Sequence, residues 1–427
     1  MLGAMSSRAK TEDNSQDIAI IGGGMVGLSL AIALGQSGFG VTVIDADDPV
    51  AAVDPAYDGR ASAIAHASQQ ALAGIGAWTG MAGEAAPILD IRVSDGNGRD
   101  RLSPLFLHYD HRDLAPPGAA MPFGYIVENR VTRRALLRRL SDLGSVRHLA
   151  PVRVEKLERE AAGCRVHLKG GERIRARLAV GADGRDSPTR ASAGIAATRW
   201  AYGQTGIVCT VAHEKPHGGV AHENFLPAGP FAMLPMTDDA DGHRSSVVWT
   251  EGEALAPTML ALPDDEFSAA LQRRFGDSLG RLRLKGGRWA YPLGLLFAQR
   301  IVDRRLALVG DAAHGMHPIA GQGLNLGLRD VAALAEVLVE ARRLGLDPGD
   351  GSVLDRYERW RRFDTMLLLS VTDGLNRLFS NDIGPLRLAR DLGLAAVNRV
   401  APLKRFLMRH AMGSVGDLPR LLRGEAI

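Results

Sequence analysis

Three closely spaced glycines near the start of the chain have the spacing of a phosphate-binding turn. Gly22, Gly24 and Gly27 form a G-x-G-x-x-G pattern directly after a short run of β-branched residues. In such a turn the first glycine permits a tight bend, the second leaves room for a pyrophosphate, and the third lets the next helix approach the strand. The pattern therefore predicts a dinucleotide site. The alternative is an ordinary strand–turn–helix with incidental glycines.

Predicted strands and a helix flank these glycines along the chain and would hold them in position. Residues 18–21 predict a buried strand, residues 25–37 a helix whose free N–H groups face the phosphates, and Val41–Ile44 a second strand. Asp45 follows about 20 residues after the glycines, where an acid accepts hydrogen bonds from a ribose. Its carboxylate would repel a 2′-phosphate, which disfavours NADP at this site and leaves NAD and FAD as alternatives.

A second glycine-rich region has a comparable layout. A strand predicted over residues 306–309 is followed by Asp311, whose carboxylate suits the hydroxyls of a ribityl chain. Gly321 and Gly323 precede a helix predicted to begin near Leu324, and its positive end suits the negative charge of a reduced flavin. Since NAD has no ribityl chain, the two turns together favour a long, bent FAD.

Composition indicates an ordinary globular protein and excludes several function classes. The chain has 427 residues, of which 46% are hydrophobic and 23% charged, and this length predicts two or three domains. Cys164 and Cys209 belong to no Cys–His cluster, so we expect buried thiols, no metal site and a reducing compartment. The sequence has no basic stripe with interleaved aromatic residues, so it does not indicate nucleic-acid binding. No apolar run is long enough to cross a membrane, and residues 1–15 predict a disordered leader.

The rest of the chain supplies a middle sheet and a helical end. Residues 58–78 predict a turn followed by an amphipathic helix, and β-type runs across 200–290 predict a separate antiparallel sheet. Everything after residue 351 has a helical pattern. Within it, residues 385–427 carry eight Lys or Arg against three acidic residues. This basic segment is either a helix pair with a solvated face or a peripheral contact with an anionic membrane.

Three motifs in this order resemble the class A FAD-dependent aromatic hydroxylases, typified by para-hydroxybenzoate hydroxylase. They are the first glycine turn, GADGRDSPTR at 181–190, and GDAAHGMHPIAGQGLNLGLRD at 310–330. The segments DGRASAIAHASQQALAGIGAW, VENRVTRRALL and TDGLNRLFSND are similar to the UbiH/UbiI/UbiF/Coq6 group of ubiquinone-biosynthesis hydroxylases. The resemblance covers nearly the whole chain.

The resemblance implies an α/β fold: a Rossmann-like FAD-binding domain, an antiparallel-sheet substrate domain and C-terminal helices. The expected ranges are 16–90, 125–195 and 290–345 for the FAD-binding domain, 91–124 and 196–289 for the substrate-binding sheet, and 346–427 for the helical region.

The resemblance also assigns roles to individual residues. Asp45 would bind the adenosine ribose, Asp311 the ribityl chain, and Asp183 the pyrophosphate and nicotinamide region. Arg60 would reach the flavin phosphates. The other residues expected at the cofactor are Gly22, Gly24, Met25, Val26, Gly27, Asn129, Arg130, Gly310, Gly321 and, through backbone N–H groups, Gly323, Leu324 and Asn325.

The candidate catalytic positions precede the helix of the last motif. The backbone of Pro318 would flank the reactive side of the flavin, and His317 would either face the flavin or pack in the interior. Tyr202, Phe231 and Trp249 on the middle sheet would be core residues or line a substrate pocket.

The activity implied by the resemblance is ring hydroxylation of a polyprenylated phenol in ubiquinone biosynthesis. NAD(P)H would reduce FAD without a nucleotide-binding domain of its own, and O2 would form a flavin C4a-hydroperoxide that the electron-rich ring attacks. No metal would be needed. Alternatives are a hydroxylase of another aromatic substrate, a flavin-dependent reductase or halogenase, and a catalytically silent flavoprotein scaffold.

The same resemblance sets expectations for partners and location. The partners would be the prenylphenol, an anionic membrane surface and other ubiquinone-biosynthesis proteins, and an oligomer stays open. The protein would be cytoplasmic, with peripheral attachment to the inner face of the cytoplasmic membrane as the alternative.

Overall fold

Strands dominate the first three quarters of the chain and helices the last quarter. The structure is a computed structural model that describes residues 15–54, 59–97, 101–114, 121–317, 321–379, 390, 393 and 397–427. The strands are β1 (Ser15–Ile21), β2 (Val41–Ile44), β3 (Ala61–Ala65), β4 (Ala86–Ile88), β5 (Asp90–Asn97), β6 (Arg101–Asp110), β7 (Gly124–Glu128), β8 (Val146–Leu149), β9 (Val154–Arg159), β10 (Cys164–Leu168), β11 (Arg173–Gly181), β12 (Ala197–His213), β13 (Val220–Leu226), β14 (Gly229–Pro235), β15 (His243–Gly252), β16 (Leu282–Ala298), β17 (Val302–Asp303), β18 (Leu306–Leu308) and β19 (His314–Gly315). The helices are α1 (Met25–Gln36), α2 (His66–Gly74), α3 (Asn129–Ser141), α4 (Pro188–Ser192), α5 (Ala256–Ala261), α6 (Asp264–Phe275), α7 (Gln322–Arg343), α8 (Gly351–Phe379) and α9 (Ala401–Ala411).

The first sheet has a parallel core in the order β18-β11-β1-β2-β8. Helix α1 packs between α3 and α7. Residues 18–21 of β1 and all of β2 except Thr42 are apolar, and these residues are buried on both faces of the sheet. The chain adds β2 on one side of β1 and β11 on the other, so the strand order reverses at β1. Open α/β sheets bind ligands at the carboxyl ends of the strands at such a reversal.

The second sheet has the order β19-β16-β12-β15-β14-β13-β5-β6 and is antiparallel apart from the β13–β5 pair. Because side chains alternate along a strand, each strand contributes to two faces. One face carries Phe231 and Trp249, which pack against Phe267 on α6; both aromatic residues are core residues. The other face, which we call the inner face, carries Tyr291, whose ring lies 4.5 Å from the Arg60 guanidinium.

A small third sheet, β3-β7-β4, packs between the two large ones. The helix expected within 58–78 is wrong for its first part, since β3 occupies Ala61–Ala65 before α2 begins. Asn325 explains the difference: its amide donates to Ala63 O at 2.8 Å and accepts from the Ala65 N–H at 2.9 Å. This tertiary pairing outweighs the local helix propensity of an alanine-rich run.

The C-terminal part is only partly helical. After α9 the described chain continues through a non-helical stretch and the short 3₁₀ turn Arg420–Arg423, so the expectation of helix throughout is wrong there. Met408 and Met412 pack α9 against Tyr109 and Phe123. Across the described ranges, no helix combines the length and apolarity needed to span a bilayer.

Candidate functional site

The three motifs recognised in the sequence lie side by side. Ile21 at the end of β1 pairs with Gly181 at the end of β11, and Gly181 pairs with Leu308 at the end of β18. Each motif begins directly after one of these strands. Segments far apart along the chain therefore share one crevice, at the point where the strand order reverses.

The first glycine turn has the shape that a pyrophosphate requires. Gly22 has φ +112°, and a Cβ on Gly27 would lie 2.0 Å from the Gly22 carbonyl oxygen, so side chains are excluded at both positions. A Cβ on Gly24 would meet no atom within 4 Å. Helix α1 then begins at Met25 with no side-chain cap and no acidic residue in its first turn. The N–H groups of Met25 and Val26 are thereby left for an anion.

Asp45 closes one end of the crevice. Its Oδ2 lies against the backbone of Gly23, where a Cβ would come within 2.3 Å of it. A shallow cleft opens beside it, lined by Gly23, Gly24, Leu28, Asp45, Asp47, Pro49, Ala52, Arg133 and Leu137. An acid beside apolar walls suits a ribose with its attached base. Sequence reasoning missed Arg133, because helix periodicity does not show which of the arginines of α3 turns inward.

Asp311 lies at the opposite end of the crevice, after β18. It is exposed, and no hydrogen bond or ion pair joins its carboxylate to a described residue. The preceding Gly310 has φ +60° and packs against Val26, since a Cβ there would lie 3.2 Å from the valine methyl groups. The free carboxylate is compatible with the ribityl-binding role expected for Asp311, which stays a prediction.

A buried ionic network fixes the backbone that carries Asp311. The Asp330 side chain on α7 is fully buried. It accepts from the Gly310 N–H at 2.9 Å and from Arg361 Nε at 2.8 Å, and its Oδ2 lies 2.6 Å from His314 Nε2. Burial alone would raise the pKa of Asp330, but His314 and Arg361 hold the pKa below its usual value. Residue spacing does not indicate this network, because its members come from three separate segments of the chain.

Helix α7 presents its N-terminus to the crevice. It begins at Gln322 after Gly321, two residues earlier than expected, and has no side-chain cap or acid in its first turn. The N–H groups of Gly323 and Leu324 lack intrahelical acceptors, and the space around Gly323 is open. The side-chain amide of Asn325 holds strand β3 through its hydrogen bonds with Ala65 and Ala63.

Arg60 and Asn129 lie together beside the third sheet. The Asn129 N–H donates to Arg60 O at 2.9 Å, and the Arg60 guanidinium lies over the Tyr291 ring. Arg130 instead forms a 2.7 Å ion pair with Glu128. The structure thus brings two of the three expected residues together at the junction of the sheets.

Hydrogen bonds join the residues of the second motif to one another and to the third motif. The Asp183 carboxylate accepts the Ser187 hydroxyl and the Thr189 N–H, the latter at 2.9 Å. The buried Arg190 side chain donates to Ala312 O at 2.7 Å. Asp183 therefore shapes the loop after β11, and the roles predicted for it toward pyrophosphate and nicotinamide stay predictions.

His317 is fully buried. Within the described part of the chain, neither of its ring nitrogens has a hydrogen-bond partner, and burial lowers its pKa to about 4, so it is neutral near pH 7. The Tyr202 ring meets it edge-on at 5.4 Å, and the Tyr202 hydroxyl donates to Asp373 at 2.9 Å. Tyr202 thus packs against His317 and α8, so its role in a substrate pocket stays a prediction. Pro318 lies outside the described residues.

The prediction for Asp311 follows from its free carboxylate. Asp311→Ala should give a folded protein that loses most of its flavin, because it removes a hydrogen bond to a charged group worth roughly 1.5–3 kcal/mol. That loss corresponds to a rise of about 10- to 150-fold in the FAD dissociation constant, measured by fluorescence titration of the apoprotein. Asp265→Ala, at an exposed position on α6, is the matched control. Wild-type FAD affinity in Asp311→Ala would refute the assignment.

Comparisons with known proteins agree with this geometry. The family described as FAD binding domain matches residues 15–368. The chain is 56% identical over 415 residues to the ubiquinone hydroxylase UbiL of Rhodospirillum rubrum, covering 96% of this chain and 94% of that protein. It is 38% identical over 400 residues to the 3-demethoxyubiquinol 3-hydroxylase of Escherichia coli K12, covering 93% and 98%.

Solved structures show the same fold. The crystal structure of p-nitrophenol 4-monooxygenase PnpA from Pseudomonas putida DLL-E4 superposes with a TM-score of 0.76 at 21% identity, covering 95% of this chain and all of that one. The resemblances stated from the sequence, to the FAD-dependent monooxygenase fold and to its ubiquinone-biosynthesis branch, are thereby confirmed. The chain belongs to the FAD-binding monooxygenases, in the family of ubiquinone-biosynthesis hydroxylases.

Proposed function

We propose that the protein hydroxylates the aromatic ring of a polyprenylated phenol in ubiquinone biosynthesis, with NAD(P)H as the electron donor and O2 as the oxygen source. The observation that carries this proposal is the crevice in which three cofactor-type loops face the inner face of the second sheet. The hydroxylase names of the full-length relatives support the same reaction type.

The inner face suits an apolar substrate. Register across the sheet sets Ala232, Val248 and Val208 in one row and Ala221 and Leu234 in the next. The side chains in these rows are apolar, and Ala221 and Leu234 also pack against the third sheet. A phenol ring with a prenyl chain gains free energy by leaving water for such a surface, at about 25 cal/mol per Å² buried.

The residues around the crevice would hold FAD at several points. Asp45 would accept from the adenosine ribose, the start of α1 would face the pyrophosphate, and Asp311 would accept from the ribityl hydroxyls. Bound there, FAD would supply electron transfer from NAD(P)H and the activation of O2. The N–H groups of Gly323 and Leu324 would stabilise negative charge on the flavin ring, and neutral His317 would add no charge to the dry interior.

The C-terminal helix supports contact with an anionic membrane. One side of α9 is packed through Met408, whereas Leu403 and Phe406 are 43% and 52% exposed. Arg405 and Arg409 are exposed beside them, with no hydrogen bond or ion pair to described residues. Arg390 is not part of this surface, since it is buried in an ion pair with Asp95. Exposed apolar side chains flanked by unpaired arginines are typical of interfacial helices.

Product analysis tests the proposed reaction. The purified holoenzyme should oxidise NAD(P)H faster when 2-geranylphenol is added and should convert it to a dihydroxylated ring carrying one ¹⁸O atom from ¹⁸O₂, detected by mass spectrometry. Unprenylated 4-hydroxybenzoate is the comparison substrate and should react more slowly. NAD(P)H oxidation without any oxygenated product would contradict the proposal and favour a silent flavoprotein, while faster reaction of the unprenylated phenol would favour a different aromatic substrate.

Flotation with lipid vesicles tests the membrane contact. Removing the whole C-terminal segment would also remove the buried Leu421 and Leu422, so point substitutions on α9 are preferable. The double variant Arg405→Gln and Arg409→Gln should weaken binding to phosphatidylglycerol vesicles by about 2 kcal/mol, roughly thirtyfold, with flavin retained.

The matched control for this surface lies on α8. Phe363→Ser removes a side chain that is 76% exposed on α8 and should leave vesicle binding unchanged. Equal binding by wild type and the double arginine variant, or binding that does not weaken in high salt, would refute the contact.

A further inference from the structure

One face of helix α8 exposes a stripe of large apolar side chains, which we call the α8 stripe. Its members recur at the spacing at which side chains line one face of a helix. Between its first and last residue the stripe extends about 22 Å along the helix axis. The stripe consists of Phe363, Met366, Leu367, Val371, Leu375 and Leu378.

The α8 stripe lies opposite the side through which α8 joins the fold. That other side carries the buried Tyr357, Arg361 and Leu369, and it packs against α7. The half-exposed Trp200 ring, 4.5 Å from the Arg377 guanidinium, adjoins the C-terminal half of the stripe. A continuous apolar surface of this length is uncommon on a monomer and marks an interaction site.

The centre of the α8 stripe has room for a side chain from another molecule. Ser370 and Gly374 are small exposed residues between the large ones. A Cβ on Gly374 would meet no atom within 4 Å, so packing within this copy does not require a glycine there, although glycine lowers the stability of a helix. Leu367 lies two turns before Gly374 on the same line of the helix. The stripe thus presents one protruding leucine and one gap.

The stripe is complementary to a second copy of itself in the antiparallel orientation. Its midpoint lies between residues 370 and 371, and positions equally distant from that midpoint face each other when the two helices run in opposite directions. Leu367 then meets Gly374 of the second copy, and Gly374 meets the second Leu367, so each leucine enters a gap as a knob enters a hole. In the same alignment Phe363 faces Leu378 at each end.

The charged residues beside the stripe also favour the antiparallel orientation. Arg359 and Arg362 are exposed just before the stripe begins. In a parallel pair each arginine would face its own copy. In an antiparallel pair the arginines lie beside the C-terminal half of the other helix, where the helix dipole is negative. Arg377 in that half already pairs with Asp373 at 2.9 Å.

We propose that the α8 stripe is the interface of a two-fold symmetric dimer of this chain, in which it packs antiparallel against the same stripe of a second copy. Because both copies use the same surface, the contact closes at two subunits. One helix face per copy gives a small interface, so the dimer is reversible and its fraction rises with protein concentration. Leu367 and Gly374 at the centre carry most of the binding energy, and Phe363 lies at the rim.

The dimer would stabilise the backbone of the cofactor crevice through the other side of α8. Arg361 on this helix donates to Asp330 at 2.8 Å, and Asp330 accepts from the Gly310 N–H at 2.9 Å. A second copy binds only the folded helix, so association favours the folded state. The unfolding temperature of the protein should therefore rise with its concentration.

Sedimentation velocity of the FAD-loaded protein at increasing concentration tests the interface. Leu367→Gln and Gly374→Gln should each raise the dimer dissociation constant at least about tenfold, because one removes the knob and the other fills the hole. Leu344→Gln, at an exposed leucine directly after α7, is the matched control and should dimerise as wild type does.

Thermal unfolding separates an interface role from a structural one. At low concentration, where the monomer prevails, Gly374→Gln should unfold at a higher temperature than wild type, because glutamine has the higher helix propensity and nothing in this copy obstructs it. A variant that weakens the dimer while it stabilises the monomer cannot act by damaging the fold.

Disulfide cross-linking with diamide tests the orientation, since both native cysteines are buried. Ser370→Cys lies beside the two-fold axis and should give a covalent dimer. Phe363→Cys should not, because its two copies would lie about 22 Å apart, far beyond the reach of a disulfide.

Three results would overturn the proposal. The first is a wild-type protein that stays monomeric at every concentration. If that monomer binds phosphatidylglycerol vesicles and Leu367→Gln weakens the binding, the stripe faces lipid instead. The second is a dimer that both glutamine variants retain with the wild-type dissociation constant, which would place the interface elsewhere. The third is equal cross-linking of Ser370→Cys and Phe363→Cys, which would exclude the antiparallel arrangement.

Discussion

The buried Asp330 carboxylate is the interaction on which the architecture of the crevice depends. It belongs to α7, yet it binds the backbone at the end of β18, a histidine on β19 and an arginine on α8. Strand β19 pairs with β16 of the second sheet, so one side chain fastens both sheets and two helices to the same point. A buried charge is tolerated only when its partners replace the lost water, and here each carboxylate oxygen has such a partner.

Further contacts join the sheets elsewhere, among them a 3.5 Å ion pair between Arg244 on β15 and Glu128 on β7. Arg60 reaches Tyr291 across the junction, and Asn325 joins α7 to the third sheet. Between these contacts the inner face carries apolar residues such as Ala232, Val248 and Val208. The first sheet carries the hydrogen-bonded cofactor-type loops, and the second sheet presents an apolar inner face. This arrangement suits a charged cofactor on one side and a water-insoluble ring on the other.

The sequence predicted the parts that depend on local chemistry. The bounds of β2 and the start of α1 were predicted correctly, because β-branched strands and glycine turns have strong local signals. The three motifs converge as expected because parallel strands align their carboxyl ends. Strand β3 was missed, since only its pairing with β7 and Asn325 makes it a strand. The Asp330 network and the inward turn of Arg133 depend on contacts between distant segments, which no spacing in the sequence reveals.

The most direct test of this account is the FAD dissociation constant of Asp330→Asn, measured on folded protein alongside Asp364→Asn. Asp364 binds Arg361 and Arg329 but does not touch the loop that carries Asp311, so it is the matched control. Breaking the buried network costs about 3–5 kcal/mol, and part of that loss should fall on the geometry of Gly310 and Asp311. The account predicts that the FAD dissociation constant rises at least tenfold in Asp330→Asn, with His314→Gln changing in the same direction, and stays near wild type in Asp364→Asn. Folded Asp330→Asn that binds FAD with wild-type affinity would contradict it.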